Sequence, residues 1–258
     1  LTLIISHIDT LLQIPNLQPV VYNKVLKLKQ NAQYMYSLIS DLLDFRKFTQ
    51  NKYTLHLVQR DICSFVKDIF SVFSDFAGRK GLKYEFHSEV ENLLCWFDSS
   101  LLEKVFFNLL SNALKYTEEG CVEINITSSG DSVDISIRDT GKGISAEDST
   151  RIFERFYQIE DKNDDYTSTG TGIGLAFTKS IVEKHHGKIL LDSKLGEGSI
   201  FTVRLPLGDS EYVNDPHVHF IEENRENLGE IKNYVDMEVD TEISRPDDNS
   251  LLEENNEE

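Results

Sequence analysis

No two of the three cysteines form a Cys-x-x-Cys pair: Cys63, Cys95 and Cys121 stand far apart. That spacing supports neither a disulfide framework nor a zinc site, and reduced thiols in a cytoplasmic setting are expected. No apolar run nears the roughly 20 residues that a membrane helix needs. No signal-peptide pattern is present and the first residue is Leu, not Met, so the sequence reads as an excised segment. Basic charge is scarce as well. The net charge is −18, and the stretch from Gly208 to Glu258 holds seventeen Asp/Glu against Arg225, Lys232 and Arg245, leaving only 4 of the net negative charges on the body. A mildly acidic body argues against non-specific nucleic-acid binding, which needs a basic face.

What is present suffices for a packed core, with 40% hydrophobic residues in 258. Leu1 to Leu12 predicts a short helix, and Pro15 and Pro19 bracket a break. A long helix is expected from about Val20 to Asn51. Its apolar positions Val21, Val25, Leu28, Ala32, Met35, Ile39 and Leu42 alternate steps of four and three, the seam of a coiled coil or bundle. Two such helices bury their apolar faces best as a four-helix dimer; an intramolecular bundle is the alternative, without later helices to complete it. After Tyr53 the pattern changes to short strands and helices. Helices are expected at Ile62–Ala77, ended by Gly78 and Gly81, at Leu101–Tyr116 and at Ile173–His186. Strands are expected at Leu82–His87, Cys95–Phe97, Val122–Thr127, Val133–Arg138, Lys188–Asp192 and Ile200–Leu205, the third and fourth of them as a hairpin. The fold class is α+β: a helical hairpin (1–54), then a helix-on-sheet sandwich (55–207). The acidic tail, 208–258, reads as a disordered linker with a weak helix around Glu222 to Val235.

Five stretches carry chemistry. On the helix ending at Tyr116, Asn108, Asn112 and Lys115 lie three or four apart and share a face. Two amides and an amine there suit a hydrated Mg²⁺ and phosphate oxygens, or simply a solvated face. Asp139-Thr-Gly141-Lys-Gly143-Ile144 comes directly after a strand; its carboxylate can accept from an exocyclic amine such as that of adenine, although an ordinary glycine turn reads the same way. Gly170-Thr171-Gly172-Ile-Gly174-Leu175 opens a helix and presents backbone N–H groups to a phosphate, with neither P-loop nor dinucleotide spacing. Phe153 and Phe156 anchor a polar run leading into it, the pattern of a lid. Gly196-Glu-Gly198-Ser199-Ile-Phe201 adds a second tight turn before the last strand.

Asn-x-x-x-Asn, Asp-x-Gly-x-Gly, Phe-x-x-Phe, Gly-x-Gly-x-Gly and Gly-x-Gly-Ser-x-Phe, in this order, resemble the N, G1, F, G2 and G3 boxes of sensor histidine kinases. Leu42-Leu-Asp-Phe-Arg-Lys47 resembles the end of the dimerisation and phosphotransfer hairpin of hybrid two-component regulators. The resemblance implies a Bergerat-type (GHKL) ATP-binding sandwich. It implies that Asn108 and Asn112 hold Mg²⁺ and phosphate, that Lys115 touches phosphates, and that Tyr116 packs near adenine. Asp139 would take the adenine amine with support from Ser199, while Gly141, Gly143 and Ile144 line the base pocket. Phe156, Gly170, Thr171, Gly172, Gly174 and Leu175 complete the ATP site. It further implies homodimerisation through the hairpin, a receiver-domain partner possibly fused downstream, and the cytoplasmic part of a membrane-anchored sensor.

The phosphoacceptor motif of that family, His-Glu-x-x-Thr-Pro-Leu, is missing, and Leu1-Thr-Leu-Ile4 looks like the stretch just after its Thr-Pro. The acceptor is therefore expected six residues before Leu1, and this segment is expected not to phosphorylate itself. His7 lies about 18 Å further along such a helix and its next residue is Ile8, not a Glu that could take a proton. His185 and His186, before Gly187, read as a helix C-terminal cap. A gyrase- or MutL-type ATPase would place a Glu where Asn108 stands. A dimerising scaffold with a degenerate site would have lost some of the five boxes.

Overall fold

The computed structural model describes residues 2–14, 17–49, 53–159 and 172–221. They fall into two units, one ending at Ser40 and one starting at Asp41. Helix α1 is Thr2–Leu12 and helix α2 is Pro19–Thr49. Lys29 and Asp9 tie the two with a 2.9 Å ion pair. Of the seam residues, Val21, Leu28, Met35, Ile39 and Leu42 are exposed in the single chain, whereas Val25 is half-buried and Ala32 buried.

The second unit carries strand β1 (Leu55–Asp61), helices α3 (Ile62–Val72) and α4 (Ser74–Arg79), strands β2 (Lys83–Ser88) and β3 (Leu94–Phe97), and helix α5 (Ser99–Tyr116). Strands β4 (Cys121–Ser129) and β5 (Ser132–Asp139), the short helix α6 (Ala146–Ser149), helix α7 (Gly174–Lys184) and strands β6 (Lys188–Lys194), β7 (Gly198–Pro206) and β8 (Val218–Phe220) complete it. Five strands form a sheet in the order β2-β4-β5-β7-β6, antiparallel except for the β2–β4 pair. Alternation decides which face is covered. Val122, Ile124, Ile126, Val133, Ile135, Ile137, Val203 and Leu205 are buried while their neighbours are partly exposed, so one face takes the helices. α5 buries nine apolar side chains there, which fixes its rotation and leaves Asn108, Asn112 and Lys115 half-exposed on the other side. At about 1.5–3 kcal/mol for each large apolar side chain, this helix is a principal support of the domain.

Three expectations need correction. The helix expected over 62–77 is two, because Phe73 takes φ −90°, ψ −3° and ends α3 before α4 begins. A strand at Leu55–Asp61, not expected, forms the middle of a second, three-stranded sheet in the order β3-β1-β8. The stretch read as a linker from Gly208 is, through Ile221, part of the domain: Tyr212 is 1% exposed, and β8 pairs in parallel with β1 at Leu55–Val218, His56–His219 and Leu57–Phe220. Its apolar anchors outweigh its acidic composition. The weak helix expected near Glu222 lies outside the described residues.

At the end of α7, His185 is wholly buried, with Nε2 accepting the Asp98 N–H at 3.1 Å and Nδ1 lying 2.8 Å from the Ile181 carbonyl. Burial holds its pKa below the ordinary imidazole value, against the raising influence of the Ile181 carbonyl and of Asp98. The folded state therefore binds fewer protons at this site than the unfolded state. Stability from His185 is present above the unfolded pKa of about 6.5 and is lost as pH falls below it, at up to about 1.4 kcal/mol per pH unit. Thermal melts between pH 7.5 and 5 should fall more steeply for the natural chain than for His185→Gln. Parallel slopes would refute this.

Candidate functional site

Asp139 ends β5, where register pairs it with Ser199 of β7. Its side chain is buried, and Oδ1 accepts the Gly141 N–H at 2.9 Å. Burial raises its pKa, while hydrogen bonds from Gly141 and from the Ser199 backbone and hydroxyl partly offset that shift. A buried carboxylate at the bottom of a loop is a strong acceptor for an incoming amine.

The loop after Asp139 is stapled on two sides. Lys142 donates its N–H to the Tyr116 carbonyl at the end of α5 (3.3 Å), and its own carbonyl accepts the Gly196 N–H (2.8 Å). Ile144 N–H donates to Ser193 Oγ (2.8 Å), and that hydroxyl also lies 3.0 Å from Ser199 Oγ. Gly143 has φ +65°, and a Cβ there would sit 2.0 Å from the Lys194 carbonyl oxygen, so the close approach of loop and β6 requires glycine. Lys115 and Lys142 place ammonium groups 5.2 and 5.0 Å from the Tyr116 ring centre, on whose half-exposed face a planar base could stack.

Two turns earlier on α5, about 12 Å away by the helical rise, Asn108 meets the start of α7. Its amide nitrogen donates to Thr178 Oγ1 at 3.0 Å. Its carbonyl oxygen faces Gly174, where a Cβ would come within 2.4 Å. That oxygen is therefore directed to the helix N-terminus, where backbone N–H groups collect anions. Asn112 lies one turn further along α5, half-exposed. Gly172, at φ +65°, accepts the Phe156 N–H at 2.8 Å and abuts the Phe156 backbone. Leu175 is half-buried in the first turn of α7.

The structure thus gathers Tyr116, Asp139, Gly141, Gly143, Ile144 and Ser199 around one loop, and Asn108, Phe156, Gly172 and Gly174 around the start of α7. Gly170 and Thr171 lie outside the described residues. The paired aromatic anchors separate: Phe153 packs edge-on against Phe201 with centroids 6.4 Å apart, whereas Phe156 is 66% exposed at φ +63°. Phe156 is held through its backbone, not its ring. Sequence reasoning missed Thr178 and Ser193. The first was accessible, standing four residues after Gly174 on the same helix face. The second depends on the pairing of β6 with β7 and left no local signal.

Residues 97–209 match the family of histidine kinase-, DNA gyrase B- and HSP90-like ATPases. Over 203 residues, 76% of this chain, the sequence is 39% identical to histidine kinase P4 of Formosa agariphila, and over 210 residues, 81% of the chain, it is 33% identical to the sensor histidine kinase RcsC of Escherichia coli K12. The matched parts span 15% and 22% of those relatives' lengths. Full-length ShkA, crystallised with AMPPNP, superposes with a TM-score of 0.65 at 26% identity, covering 77% of this chain and 41% of ShkA. No helix among the described residues is long and apolar enough to cross a membrane. Residues 97–209 are a histidine kinase-, DNA gyrase B- and HSP90-like ATPase domain, and the chain is a homologue of the catalytic region of sensor histidine kinases.

Proposed function

We propose that this chain binds ATP as its magnesium complex and supplies the γ-phosphoryl group to a histidine, as the catalytic region of a protein-histidine kinase. The observation that carries the reading is Asp139: one buried carboxylate at the end of β5, flanked by Gly141 and Ser199 and facing the loop beside Tyr116. Adenine fits this end, with its exocyclic amine on Asp139, Tyr116 against its face, and Gly141, Gly143 and Ile144 at its edge. The phosphates extend along α5 to Lys115, Asn112, Asn108 and the N–H groups of the run from Gly170 to Leu175, with Phe156 at its margin.

The donor set at that end fits a hard, partly hydrated cation, since Asn108 and Asn112 offer neutral amide oxygens and the phosphates offer the rest. Bound Mg²⁺ would neutralise phosphate charge as the γ-phosphoryl group transfers. The chain's own residues hold and orient the nucleotide; an acceptor histidine on a dimerisation hairpin supplies the nucleophile. The exposed seam residues Val21, Leu28, Met35, Ile39 and Leu42 of α2 support pairing with a second copy, and the name of the longer relative RcsC supports a parent protein with a sensor part; a membrane anchor and a receiver partner belong to the same proposal.

Asn108 stands where a hydrolytic relative would need a carboxylate base, so water should be a poor acceptor. His7, exposed on α1 with Ile8 next to it, lacks the neighbour that would activate it. Incubated with γ-labelled ATP and Mg²⁺, the 258-residue chain should bind nucleotide, release almost no phosphate at steady state, and take up no acid-labile label. Sustained phosphate release would favour a hydrolase, and stable labelling of His7 would place the acceptor within this chain.

A further inference from the structure

The far ends of α5 and α7 are joined by a buried polar cluster that the proposed chemistry does not use. His185 accepts the Asp98 N–H, and the Asp98 carboxylate in turn accepts from the Leu101 N–H (3.3 Å), the Ser100 hydroxyl (2.7 Å) and the His56 N–H of β1 (3.1 Å). The His185 carbonyl, left over at the helix C-terminus, accepts the Tyr212 hydroxyl at 2.6 Å. Asp98–His185 at one end and Asn108–Thr178 at the other show that the two helices run antiparallel, pinned at two polar points.

Both pins set the same quantity, the sliding register of α5 against α7. That register sets where Asn108 meets Gly174, whose lack of a Cβ lets the Asn108 carbonyl oxygen come up against the start of α7. The distal pin is closed by the segment after Pro206. Tyr212 fills the core behind His185, His186 stacks edge-on against its ring at 5.1 Å, and Asp215 lies 3.7 Å from the His186 imidazole. The chain then enters β8, whose flanks are fixed by Leu55 N–H to the His217 carbonyl and Ile221 N–H to the Leu57 carbonyl, both 2.8 Å. Phe220 packs edge-on against Trp96 across β1, with centroids 5.0 Å apart.

We propose that residues 208–221 are a strap that holds α5 and α7 in nucleotide-binding register, with Tyr212 and His185 as its positioning residues. The inference rests on the reading of the site as an ATP site. Load on the chain beyond Ile221 acts first on β8 and Tyr212, and so reaches the phosphate end of the site without touching it. The coupling is reciprocal: what the strap does for nucleotide, bound nucleotide does for the strap.

The test is a fluorescence titration of the 258-residue chain with trinitrophenyl-ATP and Mg²⁺, comparing the natural sequence, Tyr212→Phe and Tyr84→Phe. Tyr84 is the matched control, since its hydroxyl also donates to a helical carbonyl, that of Phe70 at 3.2 Å, on the β2 edge of the sheet. Tyr212→Phe should raise Kd about threefold to tenfold, the scale of one buried hydrogen bond. Tyr84→Phe should stay within about twofold of the natural chain. Equal affinities for all three folded proteins would overturn the strap. Absence of binding by the natural chain would overturn the ATP site itself. Should Tyr212→Phe not fold, amide exchange in the natural chain decides: saturating nucleotide slows exchange at Leu55 and Ile221 if the strap is coupled, and unchanged rates there overturn it.

Discussion

Asp139→Asn should weaken ATP binding about 10- to 100-fold while leaving the domain folded. Hydrogen bonds to a charged partner contribute about 1.5–3 kcal/mol, and this carboxylate is the acceptor proposed for the adenine amine. Asparagine keeps one oxygen for the Gly141 N–H, but its amide presents donors where the base also presents a donor. Stability should not suffer in step. Burial already raises the Asp139 pKa, so the fold disfavours the charged form, and a neutral isostere removes that desolvation cost. Isothermal titration alongside a thermal melt separates the two effects: affinity falls steeply while Tm stays within a few degrees. A melt that collapses with affinity would instead make Asp139 a structural residue.

A second large effect is expected from Gly198→Ala. Gly198 has φ +98°, and an added Cβ would lie 2.0 Å from the Asp139 carbonyl oxygen and 2.9 Å from Thr140 Cα. Both obstacles are backbone, so no rotamer change relieves them. Strained backbone with a fixed clash costs on the order of 2–4 kcal/mol, roughly a 10 °C loss in Tm for a domain of this size. Whatever relaxation occurs displaces the end of β5 and carries Asp139 with it, so nucleotide affinity falls too. Gly196→Ala is the comparison: φ is +82°, yet nothing lies within 4 Å of the added Cβ. Only the conformational penalty of about 1 kcal/mol remains there, and binding should persist. Similar losses in the two variants would show that backbone angle, not the close approach to Asp139, governs this turn.

Local pattern made much of this domain legible. The β4–β5 hairpin announced itself by alternation around Ser-Ser-Gly-Asp, and α5 by an apolar face that leaves Asn108, Asn112 and Lys115 together. The order of the glycine and asparagine motifs pointed to the ATPase-domain family that residues 97–209 match. What stayed hidden depends on partners distant in sequence. β1 and β8 are short strands whose pairing joins Leu55 to Val218, and no window of neighbouring residues encodes that contact. The acidic composition after Gly208 masked Tyr212 and Val218, two apolar anchors that suffice to dock fourteen residues. The α3–α4 break escaped notice for the opposite reason: Phe-rich periodicity runs through Phe73, and only its backbone angles end the helix. Away from the site, His185 read as a helix cap, which it is, but its bond to Asp98 links two helices that sequence spacing cannot relate.

As proposed, Asp139, at the end of β5, and Asn108, on α5, hold the two ends of a single magnesium–nucleotide complex. Isothermal titration of ATP into the 258-residue chain, with Mg²⁺ and with EDTA, tests this most directly. One site per chain, with clearly tighter binding when Mg²⁺ is present, is the predicted result. A folded chain that takes up no ATP, or that binds it equally well with and without the metal, would contradict it.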